Sequence, residues 1–495
     1  MTIRAYALHR RLMWLAASAV TLWGLSGLLH PILTALGIQQ VVFNAPTPAL
    51  QLQHTRSIAG ILKTAGIQQA QLIQVLPHDG RPLLQVTQSN QEPRRYFDMT
   101  TGQELPGQDL AQAAFIVRHY MKLPADRMAT RSTFITEFST EYPAVNRLLP
   151  VYKLEYPEAN SLVAYVHTGT NALAAVTDPT KRRLQTAFQW LHTWSWMPEP
   201  LAWVRGPAMV VLLGTVLLMT GTGLTVFFKT LRLRKPRGWP RALHRWVGLG
   251  LAVPLAAWAF SGALHLLMNS SSNVEVRTVA APPIETHRLR FDIQADWAHT
   301  TRGLQLAGFS IVESPHGELL YRLALKPEST ADGIPILPDA IRNARFDGAP
   351  VTGPALYVNA ETGQAWNGDD RQLAIQLATR YMGQSEANIR SARLITRFGP
   401  EYDFRNKRLP VWQIEFEAPL SSTVFIDTQS GVLADSIHQF ERPERWSFSW
   451  LHKWAFVQPL GRGLQNWATG SVALACVLLL AVLGVIKVRR SHRPG

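Results

Sequence analysis

Four long stretches of this chain, residues 12–38, 207–228, 246–268 and 468–486, contain no Asp, Glu, Lys or Arg. An α-helix needs about 20 apolar residues to cross a hydrocarbon core about 30 Å thick. Inside that core each backbone N–H and C=O must be satisfied within the protein, which admits helices and closes off irregular chain. The runs therefore predict four transmembrane helices. A basic start followed by an apolar run also describes a cleaved signal peptide. The same pattern recurs near residue 244, in mid-chain, so the first run is read as a permanent helix.

Lys and Arg concentrate on the cytoplasmic flanks of such helices. Residues 1–11 carry Arg4, Arg10 and Arg11. Residues 229–245 carry Lys229, Arg232, Arg234, Lys235, Arg237, Arg241 and Arg245, and residues 487–495 carry Lys487, Arg489, Arg490 and Arg493; none of these three segments holds an acid. Both termini are thus expected in the cytoplasm of a bacterial inner membrane, with segments 39–206 and 269–467 in the periplasm. These flanks account for nearly all of the formal +15, so no basic surface is left to argue for nucleic acid. Cys476 is the single cysteine, which excludes an intrachain disulfide, a Cys-based zinc or iron–sulfur site and covalent C-x-x-C-H haem attachment.

The chain also repeats itself. Leu8, His9, Arg10, Trp23, Ser26, Gly27, Leu29 and His30 recur as Leu243, His244, Arg245, Trp258, Ser261, Gly262, Leu264 and His265. Further on, Thr101-Gly102-Gln103 recurs as Thr362-Gly363-Gln364, Leu149-Pro150-Val151 as Leu409-Pro410-Val411, and Trp190-Leu191-His192 as Trp450-Leu451-His452. Each half reads helix, external domain, helix, giving a pseudo-two-fold axis along the membrane normal. Alternating strands such as Val151–Tyr156 and Leu162–His167, with helices near Asp109–Met121 and Gln372–Met382, make each external segment α+β, two such units per half. The expected fold is a membrane protein of four transmembrane α-helices from an internal duplication, plus two periplasmic α+β domains.

These residues resemble a known family. The repeated LHR…W..SG..H helix, the turns YFDMTTGQ and YVNAETGQ, and the WLH.W element before the second and fourth spans look like PepSY-associated transmembrane-helix proteins over nearly the whole chain. The resemblance implies PepSY-like external domains and an iron-regulated inner-membrane protein. Some relatives hold b-type haem and reduce ferric siderophores in the periplasm. Others carry a fused cytoplasmic flavin reductase, for which this sequence has no room.

The histidines support haem on their own terms. An ionisable residue in a spanning helix faces the bundle interior and marks a functional site by default. His9 and His30 are 21 residues apart, about 31 Å along a helix, and point broadly the same way; His244 and His265 repeat the pattern. Iron in b-type haem takes two axial imidazoles and needs no thioether. The expected cytoplasmic site pairs His9 with His244, with Arg10, Arg245 and Arg241 near the propionates. The expected periplasmic site uses His30 and His265 as ligands, with His192 and His452 completing the coordination or lining the exit to substrate; Arg205 and Arg462 are further propionate candidates. Two non-covalent haems b follow. Gly24, Gly27 and Gly262 leave room for a flat ligand or another helix, and Ser26 and Ser261 stand one turn before His30 and His265. His192 and His452 lie among tryptophans of an interfacial belt, where histidine is also at home without a ligand.

Haems near opposite faces make a path for single electrons. The function expected is a transmembrane cytochrome b-like ferric reductase, taking electrons from quinol or a cytoplasmic reductase and passing them to a ferric siderophore or another periplasmic acceptor. Two alternatives are a PepSY-type binding or inhibitory module on passive anchors and a siderophore or metal transporter. Against transport, the spans offer only hydroxyls such as Ser18, Thr21, Thr215 and Thr220 near the midplane.

Overall fold

The computed structural model describes residues 2–43, 45–46, 50, 52, 54–231, 238–269, 278–293, 305–325, 355–399, 401–419 and 421–491. In chain order the first half comprises α1 (Thr2–Leu36), α2 (Ile58–Thr64), β1 (Gln69–Ala70), β2 (Leu72–His78), β3 (Arg81–Thr87), β4 (Arg95–Asp98), α3 (Gln108–Met121), β5 (Arg131–Ile135), β6 (Val151–Tyr156), β7 (Leu162–His167), β8 (Ala172–Thr177), α4 (Pro179–His192) and α5 (Ala202–Thr230). The second comprises α6 (Trp239–Asn269), β9 (Ile284–Glu285), β10 (Leu306–Glu313), β11 (Leu319–Leu325), β12 (Ala355–Asn359), α7 (Asp370–Met382), β13 (Ile389–Ile395), β14 (Val411–Phe416), β15 (Thr423–Asp427), β16 (Val432–Ile437), α8 (Arg442–Ser447) and α9 (Arg462–Ser491). Two compact units result: Met1–Ile38 with Asp178–Glu275 and Phe440–Gly495, and Gln39–Thr177 with Val276–Gln439.

The first unit is helical. Arg4–Leu36, Ala202–Thr230, Trp239–Met268 and Gly463–Leu483 are long and apolar enough to cross a membrane. Their outward faces are apolar, with Val211 65%, Val253 72% and Phe228 65% exposed, as lipid contact requires and water would penalise. Inside, small residues such as Ala16, Ala19 and Ala259 pack with Leu213, Val216 and Cys476, which is how helices approach closely without a hydrophobic drive between them. The spans extend past the apolar runs. Residues 2–11, read from sequence as a tail, continue the helix of α1. Of the basic flanks, Arg232, Arg234, Lys235, Arg237 and Arg493 lie outside the described residues.

Residues 178–206 and 440–467 join this unit rather than the external domains to which sequence assigned them. Asp178 caps α4, accepting the Lys181 N–H at 2.6 Å, and Pro179 opens the helix. One face of α4 then packs antiparallel on the far end of α1. Lys181 Nζ donates to the Ile38 carbonyl at 3.1 Å, Phe188 meets His30 and His192 reaches Ser26. In the second half, α8 and the π-helical turn Phe448–His452 stand against α6 in the same role.

The second unit is β-rich. It holds a six-stranded sheet of order β12-β11-β10-β2-β3-β4, four-stranded sheets β5-β6-β7-β8 and β13-β14-β15-β16, and the pair β1-β9. The halves were expected to fold as separate domains. Instead each supplies three strands to the large sheet, joined where β2 meets β10 antiparallel through Val75↔Phe309 and Gln74↔Ser310. Pairing two strands that would otherwise be exposed edges removes unpaired backbone groups. The two T-G-Q turns are alike: Asp98 and Asn359 accept backbone N–H groups two and three residues on, with Gly102 and Gly363 at positive φ.

Two carboxylates, one buried and one half-buried, tie sheet to helix. Asp109, 2% exposed, accepts from the Arg94 N–H at 2.9 Å, the Tyr96 hydroxyl at 3.0 Å and Thr168 Oγ1 at 2.6 Å. The Arg94 guanidinium donates to Thr168 Oγ1 and to His167 Nε2. In the second half Asp370 takes two guanidinium bonds from Arg322, at 3.0 and 2.8 Å, and one from the Tyr357 hydroxyl. Sequence reading missed this arrangement, because its cation comes from a different strand position in each half.

Candidate functional site

The helical unit gathers its histidines at two levels. At the first, the His9 and His244 rings face each other with centroids 6.1 Å apart and planes at 55°. His9 Nδ1 lies 3.0 Å from the Met219 carbonyl and 3.4 Å from Thr222 Oγ1. Gly223 makes this approach possible, since a Cβ there would stand 3.1 Å from His9 Cε1. Around the pair lies a cavity of about 870 Å³ whose lining includes Tyr6, Thr220, Arg241 and Arg245 at one end and Val20, Leu255 and Cys476 at the other. That volume falls in the range of sites for drug-sized and cofactor-sized ligands. The Arg245 guanidinium sits 5.3 Å above the Phe227 ring. Arg10 is exposed and is not among the cavity-lining residues.

At the second level the facing pair is His192 and His452, with centroids 6.4 Å apart and planes at 79°. Each ring carries a phenylalanine on one face. Phe188 stacks on His192 at 4.7 Å and 15°, and Phe448 on His452 at 4.7 Å and 13°. Ser26 Oγ is 3.0 Å from His192 Nδ1, and Ser261 Oγ 3.2 Å from His452 Nδ1. The indole N–H groups of Trp23 and Trp258 each donate at 3.1 Å to the backbone carbonyls of the same two histidines.

The four histidines expected at the outer site stand at two depths. The structure brings His192 and His452 face to face, and places His30 and His265 one turn further along α1 and α6. His30 meets Phe188 edge-on; His265 stacks on Phe448 at 4.2 Å and bonds Glu444 through Nδ1 at 2.5 Å. The reason is the path of α4 and of the Phe448–His452 turn. Each runs inward along its partner helix, so its last residue arrives beside Ser26 or Ser261, one turn inside His30 or His265. The serines serve His192 and His452 rather than the histidines four residues on. Gly24 packs against α9, where a Cβ would fall 2.8 Å from Val477; a Cβ on Gly27 meets nothing within 4 Å, while one on Gly262 would stand 3.9 Å from His452. Arg205 is half-buried, and the side chain of Arg462 lies outside the described residues.

Sequence reading missed Phe188, Phe448 and Glu444. The first two carried a signal, since both stand four residues before the histidine of a WLH motif. Glu444 carried none, because its counterpart in the first half is Leu184. Burial, with neighbouring imidazoles, lowers His192 to about 4 and His452 to about 3, so both rings are neutral at ordinary pH. A neutral imidazole is the form that binds a metal. Among the described residues no three His, Cys, Asp or Glu side chains converge as a metal site of their own; the histidines come in twos.

Seventeen residues separate His9 from Ser26, and His244 from Ser261, which sets the two levels about 26 Å apart along the helices. No protein-family model and no curated protein matches the chain.

Proposed function

We propose that this chain is a haem b-containing inner-membrane reductase of the PepSY-associated transmembrane type, carrying electrons across the bilayer to a periplasmic ferric siderophore. The observation that carries the reading is the separation within the two facing imidazole pairs. A metal–imidazole nitrogen bond of about 2.0 Å, with about 1.1 Å from nitrogen to ring centre, puts two axial rings about 6.2 Å apart across one metal. The pairs stand at 6.1 and 6.4 Å. Two imidazoles at each level would hold a haem iron, and among the described residues no group of three His, Cys, Asp or Glu side chains offers a protein-only metal site in its place.

His9 and His244 would hold one haem and His192 and His452 the other. Bound haem supplies a one-electron couple whose potential follows from its axial ligands and burial. The chain supplies the rest. Gly223 clears the approach to His9, Arg241 and Arg245 line the cavity where carboxylates need cations, and the apolar remainder excludes water. One-electron transfer to an outside acceptor requires no general acid or nucleophile. The electron donor would be quinol or a cytoplasmic reductase.

The repeated motifs, the matching strand orders and the paired Ser26/Ser261, Trp23/Trp258 and Asp109/Asp370 arrangements support an internal duplication. The basic flanks support cytoplasmic termini and a periplasmic β-rich unit. The test is the absorption spectrum of the purified full chain, oxidised and dithionite-reduced, with a pyridine haemochrome count. Two haems b per chain are expected; a protein with no Soret band after expression with ample haem refutes the reading. For the substrate, membranes given a reductant should release ferrous iron from a ferric siderophore only when the chain is present.

A further inference from the structure

We propose that Ser26 and Ser261 are positioning residues that fix the tautomer of His192 and His452, so that the two Nε2 lone pairs are left free for one metal between them. The inference rests on the haem reading above and adds to it the groups that set the ligand geometry.

The argument is a count of hydrogens. A serine hydroxyl has one hydrogen to give and lone pairs to receive. Ser261 Oγ donates to the Ala257 carbonyl at 2.7 Å, with the Trp258 carbonyl at 3.2 Å, and Ser26 Oγ donates to the Trp23 carbonyl at 3.2 Å. A carbonyl only accepts, and the Ala257 carbonyl at 2.7 Å is the shortest contact of Ser261 Oγ, so the Ser261 hydrogen is assigned along its own helix; Ser26, its counterpart in the first half, is assigned the same way. The remaining contacts, to His452 Nδ1 and His192 Nδ1, then have the imidazole as donor and the serine oxygen as acceptor. A neutral imidazole protonated on Nδ1 carries its lone pair on Nε2. His9 obeys the same logic with a different acceptor, since the Met219 carbonyl facing its Nδ1 can only accept.

Each ring is held at three places: by the serine at Nδ1, by a phenylalanine on its face and, through its own backbone carbonyl, by an indole N–H. Both serines are 0% exposed, so water has no access to take over the acceptor role once a hydroxyl is removed. Groups that orient a metal-binding histidine through its second nitrogen change metal affinity about 10- to 100-fold when mutated.

The experiment uses the full-length protein in nanodiscs as Ser26→Ala, Ser261→Ala and the double variant. Three quantities are read: haem dissociation into excess apo-globin, the midpoint potential of each haem, and its low-spin electron paramagnetic resonance signal. The His192/His452 haem should dissociate about 10- to 100-fold faster, with a shifted resonance and a potential moved positive, because an imidazole without its Nδ1 acceptor gives less electron density to ferric iron. The His9/His244 haem should be unchanged and serves as the internal control for folding. If both potentials and both resonances stay put, even with a lower Tm, the serines are structural only and the assignment falls. A wild-type protein without a Soret band would instead overturn the haem reading, and this inference with it.

Discussion

Replacing Gly223 by alanine separates ligand placement from stability, because the two effects have opposite sign. An alanine Cβ would stand 3.1 Å from His9 Cε1 and 3.4 Å from its Nδ1. Carbon atoms pack best at about 3.5–4.0 Å, so the ring must retreat by about half an ångström. The retreat takes the Nδ1···Met219 carbonyl contact from 3.0 Å out of the useful hydrogen-bond range. Losing that bond costs about 0.5–1.5 kcal/mol, equivalent to a 2- to 12-fold weaker grip on haem at this level alone. The helix meanwhile gains up to about 1 kcal/mol from Gly→Ala. The expected variant melts no lower than wild type yet releases the His9/His244 haem several-fold faster, with the other haem unaffected. The assay is haem transfer to apo-globin, followed in the His192→Ala background so that a single level is read, beside a thermal melt. Unchanged release would show that His9 does not ligate. A parallel fall in Tm would show that Gly223 serves packing rather than the ligand.

Asp109→Ala should destabilise the β-rich unit by at least about 1–3 kcal/mol, the cost of one buried donor left without its acceptor, because the Arg94 N–H, the Tyr96 hydroxyl and the Thr168 hydroxyl all lose the carboxylate; urea unfolding of the full chain measures it, and a loss under about 1 kcal/mol would show that these donors find other acceptors. Asp370→Ala should cost less, since its side chain is 22% exposed. Stability should also depend on pH. In the haem-free chain burial lowers His192 to about 4 and His452 to about 3 against about 6.5 unfolded, so the unfolded chain binds more protons below 6.5. Their contribution is intact above pH 6.5 and declines as pH falls toward 4, and His167, also held low by burial, adds the same sign. Tm should be flat from pH 7 to 8 and drop between 6.5 and 4; no drop would mean these rings are hydrated. His192→Ala should abolish one low-spin haem signal while His30→Ala retains it, and the reverse result would restore His30 as the ligand.

What was legible in the sequence was whatever a local period encodes. The four charge-free runs fall on observed helices, with only Gly37 and Ile38 of the first beyond the end of α1, and β6 and β7 match the strands read from the sequence, because a strand's composition and period are local, within ten residues. The join between β2 and β10 leaves none: Val75 and Phe309 meet across more than two hundred residues, and nothing in either strand says which edge it will cover. The outer histidines show the same division. Helical spacing put Ser26 and His30 on one face of α1 correctly. Which histidine that serine would meet depended on α4 running inward beside α1, a tertiary fact. That path also changes the distance problem. Spacing along α1 gave about 31 Å between ligands, whereas the facing pairs lie about 26 Å apart and the cavity lining reaches inward from His9 to Val20, about 16 Å of that interval. Trp23 follows within one turn, and its indole already holds the backbone of His192. About 9 Å along α1 separates Val20 from Ser26, and Trp23 and Trp258 stand in that stretch; on the proposed reading, replacing these two indoles should slow electron transfer between the levels, and an unchanged rate would refute a role for them.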